Sequence, residues 1–297
     1  MAVRVLLIGA GGQLGRVLRG IGNASSKWTV ETLGRAELDL ASPDGVRAAV
    51  RGAFGGLGPR IVMNAAAYTA VDKAEQEPEL ARAVNALAPA VMAEEMKRLG
   101  GWLVHYSTDY VFDGSGTQPW RETDATGPLN TYGRTKLEGE RAIAATGCEH
   151  LIFRTSWVYA AVGKNFLNTM LRLGAEREEL RIVADQIGAP TTAEALTAAT
   201  QRALERVAGN NAMHGVYHLA CGGETSWAGF AEEIFTAFRE RQKAPRVVPI
   251  ASSEYPTPAK RPLNSRLSCE KFEVEFGYRM PKWQAALDSV AAKVLKG

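Results

Sequence analysis

The sequence has few cysteines, no long hydrophobic run and almost no excess of charge of either sign. Its three cysteines, Cys148, Cys221 and Cys269, are odd in number and far apart, which excludes a disulfide framework and a cysteine-based metal site. No apolar stretch approaches the ~20 residues of a membrane helix, and the N-terminus shows no signal-peptide pattern. We therefore expect a cytoplasmic protein with no membrane partner.

The formal net charge of +3 is too small to indicate a nucleic-acid partner, and the lysines and arginines form no dense basic run. The hydrophobic and charged fractions, 46% and 23%, are those of an ordinary globular protein. A chain of 297 residues is long enough for one large domain and a smaller lobe around a substantial core.

Short apolar runs alternate with helical patterns in the first half of the sequence. The predicted strands are Val3–Ile8, Trp28–Leu33, Ile61–Asn64, Trp102–Ser107 and Leu151–Thr155. The predicted helices between them are Leu14–Gly20, Pro43–Phe54, Pro78–Leu99 and Thr131–Ala145. This alternation predicts an α/β fold with a doubly wound, Rossmann-like parallel sheet and helices on both faces.

The alternation loosens after about residue 159. One more strand is predicted at Val216–Ala220, and the five-proline stretch Pro245–Pro262 is predicted as a loop. Further helices are predicted at Phe166–Arg177, Thr192–Val207, Thr225–Lys243 and Lys282–Leu295. We expect residues 160–297 to form mainly a smaller lobe, with some segments returning to a sheet domain made by residues 1–159.

A glycine-rich loop follows the first predicted strand and opens a helix. Gly9, Gly12 and Gly15 permit a tight turn and a close approach of the backbone to a pyrophosphate, with Gln13 and Leu14 between them. The strand before the loop and the helix after it favour a dinucleotide site in residues 1–159. A purely structural turn is the alternative.

The end of the second strand bears on which dinucleotide is bound. An NAD site usually carries an Asp or Glu there, whereas this chain has Gly34 followed by Arg35. An arginine suits a 2′-phosphate and favours NADPH, but a solvated loop charge is nearly as good an explanation, so NADH stays open. Asp39 and Leu40 are predicted to line the adenine pocket, with the same alternative.

Tyr132 and Lys136 share one face of the predicted helix Thr131–Ala145, one turn apart. We expect the cation to lower the pKa of the phenol, so that Tyr132 can act as a general acid. Beside a bound nicotinamide, such a pair would reduce a ketone, with Tyr132 supplying the proton and Lys136 binding the ribose.

Two strand ends complete the predicted site, because open parallel sheets bind ligands at the carboxyl ends of their strands. Ser107, Thr108 and Asp109 end the fourth strand, and the Thr108 hydroxyl could donate a hydrogen bond to a substrate carbonyl. Asn64 and the three alanines after it end the third strand. Ala65, Ala66 and Ala67 offer small side chains to a cofactor, or they simply pack helix on sheet.

Five motifs in this order identify a family. They are Asn64–Asp72 (NAAAYTAVD), Tyr106–Gly114 (YSTDYVFDG), Arg154–Tyr159 (RTSWVY), Asp185–Thr191 (DQIGAPT) and Arg261–Ser265 (RPLNS). With them the chain resembles, nearly end to end, the extended short-chain dehydrogenase/reductases, and within them the enzymes that reduce dTDP-4-dehydrorhamnose. The resemblance implies an NADPH-dependent enzyme that reduces the C4 ketone of dTDP-4-dehydro-6-deoxy-L-mannose to dTDP-L-rhamnose.

The resemblance also implies roles for individual residues. Tyr132 would donate the proton, and Lys136 and Thr108 would assist it. The cofactor would contact Gly12, Gln13, Leu14, Ala67, Tyr68, Thr69 and Ser107. Thr108 and Asp109 would contact both the dTDP-sugar and the nicotinamide. Trp157, Arg261 and Asn264 would contact the dTDP-sugar, although Trp157 could equally be a core aromatic. Asn165 and Gln186 could face the substrate or form ordinary loop hydrogen bonds.

The sequence departs from the family at a metal site. Some relatives dimerise through a magnesium ion held by glutamates, and here Glu194 matches one of them. The early helix instead has Arg16, Val17 and Leu18, and the last helix has no carboxylate after Asp288. The sequence therefore argues against bound magnesium, while a homodimer stays open.

Other functions within the family are less well supported. Dehydratases carry an Asp-Glu pair directly after the threonine, whereas Tyr110 follows Asp109 here. Epimerases keep the same tyrosine and lysine, so the sequence leaves them open. One relative is a regulatory subunit, but retention of Thr108, Tyr132 and Lys136 argues against a non-catalytic role.

Overall fold

The computed structural model describes residues 2–24, 27–54, 58–207, 213–240 and 243–296. The strands in these ranges are β1 (Val3–Ile8), β2 (Trp28–Leu33), β3 (Arg60–Asn64), β4 (Trp102–Thr108), β5 (Glu149–Thr155), β6 (Val158–Tyr159), β7 (Glu179–Val183), β8 (Ile187–Gly188), β9 (Thr191–Thr192), β10 (Gly215–His218), β11 (Thr225–Ser226) and β12 (Arg246–Ile250).

The helices are α1 (Gln13–Leu18), α2 (Ile21–Ala24), α3 (Pro43–Ala53), α4 (Val71–Ala74), α5 (Pro78–Arg82), α6 (Ala88–Leu99), α7 (Thr131–Ala145), α8 (Phe166–Glu176), α9 (Ala193–Val207), α10 (Trp227–Ala237), α11 (Glu270–Phe276) and α12 (Trp283–Lys296). None of the helices in the described ranges combines the length and the apolar character that crossing a bilayer requires.

The central sheet has six strands in the order β10-β5-β4-β3-β1-β2, and every pair of neighbours is parallel. The chain runs from β1 outward to β2 at one edge, then returns past β1 to build the other side. The order reverses between β1 and β3, which is where doubly wound sheets bind dinucleotides. The predicted fold class is therefore confirmed.

Alternate residues of the central strand β1 face opposite layers of helices. Val5 and Leu7 belong to one hydrophobic cluster, and Leu6 and Ile8 belong to another. Because side chains alternate across a strand, a continuous apolar run buries both faces of the sheet, as the sequence predicted.

Local signals place several helix ends. The Ser42 side chain accepts a hydrogen bond from the Gly45 nitrogen and caps α3, with Pro43 in its first turn. Gly100 adopts a left-handed conformation (φ 64°) and ends α6. Both ends were predicted from the sequence.

Two predictions about local structure were wrong. The helix predicted over Pro78–Leu99 is interrupted by a π-helical turn at Ala83–Leu87. The loop predicted over Pro245–Pro262 contains β12, which pairs in parallel with β7, a strand the sequence analysis missed. These two strands form a two-stranded sheet, so each depends on a partner 67 residues away that the local pattern does not reveal.

The second half of the chain contributes to both parts of the molecule. β10 joins the central sheet beside β5, whereas β6–β9, β8–β11 and β7–β12 form small separate sheets. The helix predicted over Thr225–Lys243 begins at Trp227 and ends at Ala237; residues 241 and 242 lie outside the described residues. The proposed boundary at residue 159 stays a prediction.

Candidate active site at the carboxyl edge of the sheet

The glycine loop between β1 and α1 packs against the end of β3. Gly9 has φ 87°, and a Cβ there would lie 2.6 Å from the Ala66 nitrogen. A Cβ at Gly15 would lie 2.1 Å from the Gly9 oxygen, whereas one at Gly11 would have no atom within 4 Å. The loop is therefore tightly packed at Gly9 and Gly15 and open at Gly11. This arrangement fits the close approach of a dinucleotide diphosphate.

The side chains of Gln13 and Leu14 point in different directions. Leu14 is buried in the core. The Gln13 Oε1 atom accepts a hydrogen bond of 2.8 Å from Asn165 Nδ2, and Asn165 in turn caps α8 through the Asn168 nitrogen. Asn165 therefore joins the glycine loop to α8, in the second half of the chain. The predicted diphosphate contacts of Gly12, Gln13 and Leu14 stay predictions.

The residues after β2 are mostly exposed. Arg35 has no salt bridge within the described ranges, and its side chain faces solvent. Glu37, two residues after Arg35, accepts a 2.7 Å hydrogen bond at Oε2 from the Gly34 nitrogen. Asp39 caps a local turn through the Ala41 nitrogen (2.9 Å), and Leu40 packs against the core. This strand end therefore carries an accessible cation together with a nearby carboxylate.

The end of β3 is held by hydrogen bonds that the sequence analysis missed. The Ala65 nitrogen donates to the Ile8 oxygen, which ties this segment to β1. Asn85, in the π-helical turn, accepts from the Tyr68 nitrogen (2.8 Å) and donates to the Tyr68 oxygen (3.1 Å). Its amide also donates to Thr135 on α7 (3.2 Å). Asn85 therefore links the predicted cofactor segment to the helix of Tyr132.

Tyr68 and its neighbours lie at the surface of this segment. Ala66 and Ala67 are half-buried, and Thr69 is exposed. The Tyr68 hydroxyl donates a 2.7 Å hydrogen bond to Glu77, which raises the pKa of the phenol. Their contacts with a cofactor stay predictions.

Thr108 and Asp109 lie together at the end of β4. The Thr108 hydroxyl donates to Asp109 Oδ1 (3.0 Å) and accepts from the Tyr110 nitrogen (3.1 Å). Asp109 is buried, and among the described residues its Oδ2 atom has no hydrogen-bond partner. Burial raises the pKa of Asp109 to about 6, although the nearby Ser265 and Thr108 hydroxyls act to lower it. A buried acceptor without a partner fits a ligand group that donates a hydrogen bond.

Tyr132 lies in the first turn of α7. Asn130 caps this helix by accepting a 2.8 Å hydrogen bond from the Gly133 nitrogen, as expected for an Asn before a helix. The Tyr132 ring packs edge-on against Tyr110, with 5.7 Å between ring centroids. The cap and the ring contact position the phenol beside the end of β4.

The pKa of Tyr132 is raised to about 12 in this structure. Burial is the main cause; the Thr108 hydroxyl lowers the pKa and the Asp109 carboxylate raises it. The expectation that Lys136 lowers this pKa is therefore wrong for the protein without a ligand, because burial of the phenol dominates. The phenol keeps its proton at neutral pH.

Lys136 is fully buried, with 1% of its surface exposed. Its Nζ atom lies 2.6 Å from the Tyr106 carbonyl oxygen and 2.9 Å from Nε2 of His105. Burial lowers the pKa of Lys136 to about 8, while the charge of Glu140 acts to raise it. Sequence reasoning missed His105, although it lies only three residues before Thr108.

Ser107 forms a hydrogen bond with a buried ion pair. Its hydroxyl donates to Glu140, which also forms a 2.7 Å salt bridge with Arg154 on β5. Both charged groups are almost fully buried. Glu140 was missed too, although its position one turn after Lys136 was a usable signal. The predicted cofactor contact of Ser107 stays a prediction.

Trp157 is held in a strained conformation. Its φ is 51°, and among the described residues no other non-glycine residue has a positive φ. Its ring stacks on Trp227 with 3.7 Å between centroids, and Trp227 donates to Gln186 (3.1 Å). A Cβ at Gly188 would lie 2.9 Å from the Trp157 ring. Close packing on both sides therefore fixes this indole.

Arg261 and Asn264 are already bonded within the protein. Arg261 forms a 2.8 Å salt bridge with Asp72. The Asn264 amide is buried and donates to the backbone oxygens of Ser115 (3.1 Å) and Gln118 (2.9 Å). In this structure Asn264 braces a loop, and the predicted substrate contacts of both residues stay predictions.

The described carboxylates form no magnesium site within one chain. Glu194 forms a 3.1 Å ion pair with Lys293 on α12, so a cation of the chain already compensates its charge. The described residues contain no group of three or more His, Cys, Asp or Glu side chains that could hold a metal.

The structure therefore brings some predicted residues together and separates others. Thr108, Asp109 and Tyr132 form one cluster. Lys136 lies one helical turn after Tyr132 and is buried against β4. The glycine loop meets the end of β3 on the neighbouring strands. Arg35 lies at the end of β2, on the far side of β1.

Comparisons with known proteins point to one family. A family model described as the RmlD substrate binding domain matches residues 3–296. The dTDP-4-dehydrorhamnose reductase of Burkholderia thailandensis is 48% identical, with 96% of this chain and 97% of that protein covered. That of Escherichia coli K12 is 45% identical, with 96% of each covered. The crystal structure of dTDP-4-dehydrorhamnose reductase from Bacillus anthracis in complex with NADP has a TM-score of 0.89 and 33% identity, covering 99% of this chain and 100% of that one.

Proposed function

This chain belongs to the family of the RmlD substrate binding domain, within the extended short-chain dehydrogenase/reductases, and on that premise we propose that it is a dTDP-4-dehydrorhamnose reductase. The reaction reduces the C4 ketone of dTDP-4-dehydro-6-deoxy-L-mannose to dTDP-L-rhamnose. The observation that carries the proposal is the cluster of Thr108, Asp109 and Tyr132 at the carboxyl edge of the sheet, beside an open glycine loop.

Each residue of the cluster has a proposed role. The bound cofactor supplies a hydride to the ketone carbon. Tyr132 supplies the proton to the C4 oxygen, and its phenol is protonated at neutral pH as this role requires. Thr108 donates a hydrogen bond to the same oxygen, Asp109 accepts one from the substrate, and Lys136 holds the nicotinamide ribose.

We propose NADPH as the preferred cofactor. Arg35 is an exposed cation directly after β2, where a 2′-phosphate would lie, and the relative from Bacillus anthracis was crystallised with NADP. Glu37, two residues on, is the feature that would favour NADH instead. We further propose a cytoplasmic enzyme, and if it dimerises, a dimer without a bridging metal; the Glu194–Lys293 pair supports the latter.

A spectrophotometric assay tests the proposal. Oxidation of NADPH is followed while dTDP-4-dehydro-6-deoxy-L-mannose is generated from dTDP-glucose in the same solution. We expect one NADPH oxidised per sugar reduced, and slower turnover with NADH at the same concentration. Conversion of the sugar without consumption of either cofactor would indicate an epimerase, and no conversion at all would contradict both.

A further inference from the structure

The indole of Trp157 lies close to the candidate site. A Cβ at Gly188 would lie 2.9 Å from the Trp157 ring and 3.1 Å from the Ser265 Cβ, so the indole and Ser265 both pack on Gly188. The Ser265 hydroxyl in turn lies near enough to Asp109 to lower the pKa of that carboxyl. Trp157 is only half-buried, so part of its ring is open beside the Asp109 end of the site.

The backbone of Trp157 does not adopt its conformation without help. A φ of 51° is in the left-handed region, which a bulky side chain rarely occupies. Such a conformation persists only where the surrounding structure fixes the residue from several sides. One of these constraints is the hydrogen bond of 3.2 Å that the Trp157 oxygen accepts from the Thr191 nitrogen. The others act on the ring.

Trp227, the first residue of α10, covers one face of the Trp157 indole. The two rings are nearly parallel, with an angle of 12° between them and 3.7 Å between centroids. Phe166, at the start of α8, packs on Trp227 in turn, with 4.7 Å between centroids. The stack therefore connects Trp157 to the first turns of two helices.

Gln186 fixes the orientation of Trp227. An indole N–H can only donate, so the Gln186 Oε1 atom accepts the 3.1 Å hydrogen bond from Trp227 Nε1. The Gln186 Nε2 atom then donates to the Ser252 hydroxyl oxygen (2.9 Å), and that hydroxyl donates to Asp185 (2.6 Å). Both ends of this buried amide are engaged within the chain. This favours a structural role for Gln186 over a contact with the substrate.

We propose that Trp227 and Gln186 are positioning residues that hold the Trp157 indole as a rigid wall of the sugar-binding site. The inference rests on the proposed function, in which Trp157 borders the dTDP-sugar. An indole face is apolar and suits the C–H and methyl groups of a deoxy sugar. A side chain that is already fixed need not be ordered on binding, so the brace strengthens binding of the sugar without taking part in the chemistry.

Circular dichroism of the full-length, ligand-free protein tests the brace. Two indoles stacked this closely couple their electronic transitions and give a band of two signs in the far ultraviolet. We expect this couplet in the wild type and in Trp102→Phe, a control at the start of β4, but not in Trp157→Phe or Trp227→Phe. Gln186→Leu keeps both indoles and loses the bond to Nε1, so it should lower the amplitude by about half. An unchanged couplet in folded Gln186→Leu would refute the brace.

Steady-state kinetics tests the consequence for the sugar. We expect Gln186→Leu and Trp227→Leu to raise KM for the dTDP-sugar by about tenfold, with kcat and NADPH affinity within about twofold of the wild type. Gln201→Leu is the matched control, because it removes a surface amide that bonds Glu205 on α9 (3.1 Å), and it should keep the wild-type KM.

The two measurements separate this inference from the proposed function. An unchanged KM in the folded variants would overturn the inference, as would equal losses in KM, kcat and NADPH affinity, which indicate general damage. If one variant does not fold, the other decides. A wild type that does not reduce the sugar would contradict the proposed function, and the couplet would still show whether Gln186 braces the stack.

Discussion

Tyr132 is protonated in this protein, and burial of its phenol is the main cause of its raised pKa. Burial and the neighbouring Asp109 carboxylate raise the pKa of the phenol, and only the Thr108 hydroxyl opposes them. Lys136 lies one helical turn away but is bonded to His105 and the Tyr106 backbone. Reduction requires the phenol in its protonated form, because the phenol must give up a proton.

We predict that Tyr132→Phe reduces turnover by ~10²–10⁴, the usual contribution of a positioned general acid, while cofactor affinity stays nearly unchanged. The measurement is kcat for NADPH oxidation together with the dissociation constant of NADPH from fluorescence titration. Tyr217→Phe is the matched control, because it removes a tyrosine hydroxyl that bonds Glu275 on α11. A Tyr132→Phe enzyme with wild-type turnover would show that another group donates the proton.

Some residues of the candidate site could be identified from the sequence alone, and others could not. Thr108, Asp109 and Tyr132 lie in short motifs next to recognisable strand and helix ends, so their proximity followed from the topology. Asn85 and His105 are buried polar residues with no motif of their own. Their hydrogen-bond partners are distant in sequence, and only the folded chain shows that a buried amide or imidazole is satisfied by a functional residue.

Among the elements, the π-helical turn at Ala83–Leu87 has a specific consequence. It lies within a segment whose sequence is continuously helical in pattern, so it was not predicted. The turn carries Asn85, whose amide makes two hydrogen bonds to the Tyr68 backbone and one to Thr135 on α7. Such turns often occur at functional sites.

We predict that Asn85→Ala raises KM for NADPH and lowers kcat/KM by about tenfold or more, because two hydrogen bonds of ~1 kcal/mol each are lost from the Tyr68 backbone. Asn85→Asp separates their contributions, since a carboxylate still accepts from the Tyr68 nitrogen but cannot donate to its oxygen. Steady-state kinetics of both variants is the measurement. Wild-type kinetics in Asn85→Ala would mean that the Tyr68 segment holds its place without this amide.

At the scale of the whole molecule, buried neutral histidines make stability depend on pH. His218 is fully buried on β10, and burial, aided by the charge of Arg154, lowers its pKa from 6.5 to about 3. A lowered histidine pKa means that the unfolded chain binds the proton more readily. The stability from this group is therefore present above about pH 6.5 and is lost as the pH falls toward 3.

We predict that His218 accounts for about 2 kcal/mol of the stability lost between pH 7 and pH 5. In His218→Gln that part of the loss should be absent, whatever the absolute stability of the variant. Urea unfolding at the two pH values gives the difference, with the exposed His214→Gln as the control. An equal loss in wild type and His218→Gln would show that His218 is not the group responsible.

The sequence by itself determined the sheet, the helices around it and the family, because strands and helices are written in local periodicity and the motifs lie at their ends. It also indicated which strand ends carry the chemistry, since parallel strands bring their carboxyl ends to one edge. Only the tertiary structure decided the shifted pKa values of Tyr132 and Lys136 and the pairing of β7 with β12. Burial and hydrogen bonds from distant segments set these properties, and neither is visible in the spacing of residues along the chain.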